Sequence, residues 1–134
     1  MYLLDTNVCI RLLKGDSPSI TARLRAHEPH EIRLSAITKG ELLYGARHSQ
    51  RVEGNLNRVL AFAAPFLSLP FDDVCAEHYA RIRADLAVRG LIIGAMDLCL
   101  AAIAYTHDCT LVTHNVQEFR RVLGLRIEDW EAEG

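Results

Sequence analysis

The chain is 134 residues long, 50% hydrophobic and 24% charged, with a formal net charge of −2. That balance predicts one soluble globular domain over residues 1–134, ending in an acidic tail from about residue 128, and excludes a disordered or collagen-like chain. No apolar run approaches the roughly 20 residues that cross a bilayer. Met1-Tyr2-Leu3-Leu4-Asp5 carries no positive leader, so neither a membrane span nor a secretory signal is expected.

Strand-like and helix-like periods alternate along the chain. Tyr2-Leu3-Leu4 reads as a first strand ending at Asp5, and Val8, Ile10, Leu12 and Leu13 as a short helix stopped by Lys14-Gly15-Asp16. Ser17 as N-cap and Pro18 at the first helical position open a second helix to about Ala26. Ile32 to Ile37 predicts a second strand, and helices follow over Lys39 to about Arg47 and Val52 to Ala63. Phe66-Leu67-Ser68-Leu69 is a brief strand. Asp72 then caps a long helix whose Cys75, Tyr79, Ile82 and Leu86 fall at helical spacing, with Gly90 as its stop. Leu98 to Tyr105 is apolar nearly all round, which predicts a helix packed on several sides. Thr110 to Thr113 gives a fourth strand, Val116 to about Val122 a helix, and Leu125-Arg126-Ile127 a last strand. The alternation predicts an α/β fold with a mostly parallel sheet covered on both faces. Right-handed crossovers place every strand's C-terminal end along one edge, where ligands bind.

Cys9, Cys75, Cys99 and Cys109 include no C-x-x-C pair and have apolar neighbours, so they read as free core residues suited to a reducing cytoplasm. Glu128, Asp129, Glu131 and Glu133 crowd into the last seven residues, leaving the rest of the chain formally +2. Thirteen of the 15 cations are Arg, which permits phosphate binding without indicating it.

The expected binding edge collects acids. Asp5 ends the first strand, Glu41 lies in the first turn of the helix after the second, Asp97 opens the apolar helix, and Asn115 follows the fourth strand with Glu118 one turn on. Carboxylates so gathered repel one another unless a cation joins them, and hard oxygen ligands suit Mg²⁺ or Mn²⁺. Such a site supports metal-assisted phosphoryl chemistry. Helix capping explains the same residues: Thr38-Lys39-Gly40-Glu41 fits a capping box, Asn115-Val116-Gln117-Glu118 imitates one, and helix dipoles favour Asp5 and Asp97. Spacing alone leaves both readings open, capping being the commoner.

Longer blocks carry a resemblance. Leu3-Leu4-Asp5-Thr6-Asn7, Ser35 with Thr38, Glu41-Leu42 and Gly45, Ile93-Gly94 with Asp97-Leu98 and Ala101-Ala102, Leu111-Val112-Thr113-His114-Asn115 with Glu118-Phe119, and Gly124-Leu125-Arg126-Ile127-Glu128-Asp129-Trp130 span nearly the whole chain. Together they resemble the PIN-domain ribonucleases, most closely the VapC toxins of VapBC type II toxin–antitoxin pairs. The resemblance implies a three-layer α/β/α sandwich, usually a homodimer, acting in the cytoplasm with a VapB-like antitoxin as partner. It also implies a Mg²⁺-dependent endoribonuclease, for which Mn²⁺ can substitute, that cuts single-stranded or looped RNA. The expected substrate is tRNA, in particular initiator tRNA, cut by water activated at the metal to leave 5′-phosphate and 3′-hydroxyl ends. Asp5, Asp97 and Glu41 become the implied metal ligands and, with Asn115, the catalytic set. Thr6, Thr113 and Glu118 become supporting residues. Asn115 stands where the family often has Asp, and Glu118 is the group placed to compensate.

The remaining candidates are weaker. Among the six histidines only His114 falls near the expected site. Tyr44 is expected in the core or a dimer contact rather than in base stacking. Arg11, Lys14, Lys39, Arg47 and Arg51 border a possible RNA path, although each alone reads as a solvated charge. Trp130 reads as a packing anchor. Two alternatives remain: a catalytically silent binding module paired with an antitoxin, and a receiver-type phosphoacceptor, which would need a late lysine where this chain has only Lys14 and Lys39.

Overall fold

Five strands, β1 (Tyr2–Leu4), β2 (Ile32–Ser35), β3 (Leu67–Leu69), β4 (Thr110–Val112) and β5 (Ile127–Glu128), alternate with helices in the computed structural model, which describes residues 1–131. The helices are α1 (Thr6–Lys14), α2 (Pro18–Arg25), α3 (Ala36–Arg47), α4 (Val52–Ala63), α5 (Asp73–Val88), α6 (Ala95–Thr106) and α7 (Val116–Phe119). All strand pairs are parallel, in the order β3-β2-β1-β4-β5. Receiver domains order their strands 2-1-3-4-5, so the phosphoacceptor alternative is overturned by topology. The direction of strand addition reverses between β1 and β4, and a crevice forms outside the carboxyl ends of two strands at such a reversal.

Successive strand residues point to opposite faces, and the two faces carry separate cores. Leu3 and Leu111 pack with Leu86, Leu98, Ala101 and Ile103 of α5 and α6. Leu4, Val112 and Leu34 pack with Val8, Ile20, Leu42 and Val59 of α1 to α4. The result is the expected α/β/α layering. In α6, Leu100 to Ala104 are 3% exposed or less, as an all-round apolar helix requires. Among the described residues no helix is long and apolar enough to cross a membrane.

The local stop and start signals act as read. Ser17 Oγ accepts from the Ile20 N–H at 3.4 Å and Asp72 Oδ1 from the Cys75 N–H at 3.0 Å. Gly15 and Gly90 end their helices at φ of +68° and +70°, the left-handed region that favours glycine. Three boundaries differ. The second strand stops at Ser35 rather than Ile37, because the Ser35 hydroxyl accepts from the Thr38 N–H at 2.9 Å and starts α3 three residues before Lys39. Thr38 is therefore an interior helix residue and not the start of a capping box. α7 ends at Phe119, not near Val122. The last strand begins at Ile127, where its ladder with β4 pairs Leu111 to Ile127 and Val112 to Glu128.

Trp130 is 1% exposed and stacks on His27 with ring centroids 5.4 Å apart, beside Tyr2 at 5.6 Å. Around it the acidic end is tied back. Glu128 accepts from Arg23 at 3.3 Å, and Glu131 pairs with Arg11, which also donates to Asp16 at 2.7 Å. Glu133 of the expected tail lies outside the described residues.

Candidate active site

The crevice between β1 and β4 is built from the first residues beyond each strand. The Asp5 N–H continues the ladder to the Val112 carbonyl at 3.0 Å, which fixes Asp5 at the sheet edge. Its Oδ1 accepts from the Val8 N–H at 2.8 Å, so Asp5 does cap α1. At 6% exposure the carboxyl titrates above its ordinary range. Burial raises it, and bonds from the Thr113 hydroxyl and the Val8 and Asn7 amides only partly offset this. Thr113 is fully buried, and its Oγ1 also accepts from the Asn115 N–H at 3.0 Å. On the β2 side of β1, Thr6 Oγ1 and Thr38 Oγ1 lie 3.0 Å apart, joining the starts of α1 and α3.

Asp97 is the third residue of α6, inside the first turn, and the N-cap position is Gly94. Its carboxyl is pushed up to about 6, first by burial and then by the negative charges of Glu118, Asp5 and Glu41. Those three acids thus face it from α7, β1 and α3. Glu41 sits in the second turn of α3, not the first, and its side chain is on the exposed side.

Glu118 makes the arrangement rigid. Its Oε1 accepts from the Gly94 N–H at 2.9 Å and its Oε2 from Asn115 Nδ2 at 2.6 Å. The Gly94 bond above all, then Asn115, holds its carboxyl below the usual range, while it shares a hydrogen bond with Asp97. Two neighbouring acids repel, and the pair answers by one of them, Asp97, binding a proton more readily than usual while Glu118 binds one less readily. Asn115 occupies the N-cap position of α7 yet makes no side-chain cap bond, and its amide is spent on Glu118. Of the residues that capping could explain, only Asp5 caps a helix.

The expected residues Asp5, Glu41, Asp97, Asn115, Thr6, Thr113 and Glu118 are all at this edge. The clamp through Gly94 had no signal in the sequence beyond the three-residue spacing of Asn115 and Glu118. Asp5, Glu41 and Asp97 do not close to within 4.8 Å as a set. Among the described residues only His114, Asp129 and Glu131 do so. His114 Nδ1 is 3.1 Å from Asp129 and 3.2 Å from Glu131. The buried Trp130 between these two acids anchors them there. Asp5, Asn7, Arg11, His114, Asn115 and Glu131 line a cavity of about 490 Å³ beside the acidic ring.

The donor set fits a hard divalent cation. It offers only carboxylate, amide and hydroxyl oxygens. Burial raises two of its acids, Asp5 and Asp97, and neighbouring negative charge raises Asp97 further, so a cation would relieve both; the acids stand far enough apart to suit an ion that keeps part of its water shell. Tyr44, expected in a core or dimer contact, is 67% exposed and therefore not a core residue.

Comparison with known proteins agrees with this geometry. The PIN domain family matches residues 2–125. The chain is 38% identical over 129 residues to the tRNA(fMet)-specific endonuclease VapC of Shigella flexneri, covering 96% of this chain and 97% of the relative. It is 33% identical over 132 residues to ribonuclease VapC2 of Rickettsia felis, covering 98% of each. Among solved structures, DNA-bound VapBC from Salmonella typhimurium superposes with a TM-score of 0.90 at 38% identity, covering 96% of this chain and 97% of that one. VapBC-1 from nontypeable Haemophilus influenzae gives 0.88 at 33% identity and 98% coverage of both chains. Matched in fold and in sequence over nearly its full length, the chain belongs to the PIN-domain family, among its VapC members.

Proposed function

We propose that the protein is a divalent-cation-dependent endoribonuclease, the toxin of a toxin–antitoxin pair, that hydrolyses phosphodiesters in single-stranded or looped RNA. The observation that carries this reading is the Asp97 carboxyl, raised to about 6 amid Glu118, Asp5 and Glu41 at the strand-order reversal. The names of the relatives, ribonucleases and a tRNA(fMet)-specific endonuclease, support RNA as the substrate and initiator tRNA as the target. Solved neighbours described as VapBC complexes support a VapB-like antitoxin as the partner. The homodimer, the cytoplasmic setting and the 5′-phosphate and 3′-hydroxyl products belong to the same reading.

When bound, Mg²⁺ or Mn²⁺ supplies a water of lowered pKa and offsets charge on the phosphodiester. Asp5, Asp97 and Glu41 would hold the ion. Thr113 and the Val8 amide fix the Asp5 carboxylate so that its free lone pairs face the crevice. Glu118 holds Gly94, and with it the start of α6 that carries Asp97, against α7. Asn115 keeps Glu118 in place and adds no charge of its own.

Asp97→Asn tests the reading. It retains a donor toward Glu118 and the volume of the side chain, so the fold survives while metal-dependent cleavage of tRNA falls by at least about 100-fold, on the scale of a lost electrostatic group in a catalytic site. Undiminished cleavage by Asp97→Asn, followed on a gel with and without Mg²⁺, overturns the proposal.

A further inference from the structure

The face of α3 that begins at Glu41 has chemistry that the metal site does not use. Glu41, Tyr44 and His48 follow one another at spacings of three and four, so they rise along one side of the helix. Tyr44 is 67% exposed, and its ring stacks on His48 with centroids 5.5 Å apart and planes 12° from parallel. Gly40 and Gly45 flank the pair, and a Cβ on either would meet nothing within 4 Å. Glycine is costly inside a helix relative to alanine, and no neighbour within this chain requires either one. Both leave the helix surface open to something from outside. Arg47 and Arg51 continue the exposed stretch, and among the described residues neither takes part in an ion pair. From residue 32 to residue 52 the only acid is Glu41 itself.

We propose that this stripe is a base-stacking subsite for single-stranded RNA. The Tyr44–His48 ring pair receives an unstacked base next to the phosphodiester held at the acids, and Arg47 and Arg51 take phosphates farther along the strand. The inference rests on the ribonuclease reading above and deepens it. Aromatic platforms combined with a cationic track are how proteins bind single strands, because every base has a face to stack while the backbone is uniformly anionic. The glycines let the sugar-phosphate chain pass close to the helix beside the rings.

The test is fluorescence anisotropy of a fluorescein-labelled single-stranded RNA oligonucleotide with the full chain in EDTA, where cleavage is off. Tyr44→Ala weakens binding about 10-fold and Tyr44→Trp restores it, the loss expected for one stacked base. Removing both Arg47 and Arg51 as alanine lowers the slope of log Kd against log salt by about 1.4. Gly45→Ala raises the melting temperature while weakening RNA binding, a pairing that a purely structural glycine does not produce. Wild-type affinity in Tyr44→Ala and Gly45→Ala, in chains that melt as folded, overturns the subsite. So does a sedimentation mass that falls in Tyr44→Ala at constant RNA affinity, which assigns the ring pair to contact between copies. Metal-dependent cleavage that persists alongside either result leaves the ribonuclease reading standing and removes only this inference. RNA binding that depends on Tyr44 without any cleavage does the reverse.

Discussion

A carboxyl raised to about 6 makes the folded protein sensitive to pH in a direction opposite to most acids. In the unfolded chain Asp97 titrates near its ordinary 3.8, so between pH 4 and 6 the folded state holds more protons and stability from this group is lost as pH rises. Differential scanning calorimetry in EDTA should therefore show Asp97→Asn melting about 2–4 °C above wild type at pH 7.5, with the gap closing below pH 4. Adding Mg²⁺ should raise the wild-type melting temperature and leave the variant unmoved. Glu118 gives a complementary expectation. Glu118→Gln keeps an acceptor for the Gly94 N–H but removes the charge that raises Asp97, so the Asp97 carboxyl carbon, followed by NMR without metal, should titrate lower than in wild type. Glu118→Ala also loses the Gly94 bond, which costs about 1 kcal/mol at this partly solvated position. The place of Asp5 and Thr113 at the sheet edge was legible in the sequence because each stands just past an apolar run. The hydrogen bonds within the site were not, since nothing in Asn115-Val116-Gln117-Glu118 tells whether its amide caps a helix or steadies an acid.

The elements were readable wherever a local signal and the tertiary contacts agree. Ser17-Pro18, Gly15, Asp72 and Gly90 set their boundaries through bonds within three or four residues, so the sequence window contains the cause. The start of α3 was misplaced because Ile32, Leu34 and Ile37 fit a strand that runs on, whereas the Ser35 cap starts the helix at the point where the ladder with β3 also ends, at Ser35 and Leu69. α7 and β5 were misplaced for the same reason, since the ladder with β4 and not the run Leu125-Arg126-Ile127 sets the last strand. The Ser35 cap has a functional reach, because it orients the helix that carries Glu41. Ser35→Ala should cost about 1 kcal/mol, typical of a lost N-cap, and should lower RNA cleavage more than that loss of fold explains; Ser35→Thr should recover both. Thermal melting and tRNA cleavage measured on the two variants decide it.

At the scale of the molecule, alternation of strand and helix was enough to predict the layering and the edge at which the acids meet. It was not enough to give the strand order, which depends on crossovers no local pattern encodes and which puts Asp5 beside Thr113 and Asn115. Nor did composition show that the acidic end is bound: Arg11, Arg23 and His114 take its charges while Trp130 fills the space between Tyr2 and His27. That packing sets the first residues of β1 against the last described ones, the rings of Tyr2 and Trp130 being 5.6 Å apart. Within the described residues the two ends of the fold are therefore neighbours, so the order in which the elements are strung is separable from the chemistry at the edge. A circular permutant that bridges the old ends with a short glycine-serine segment and opens between Ala64 and Pro65, in the exposed turn after α4, should fold and still cut RNA when supplied with Mg²⁺.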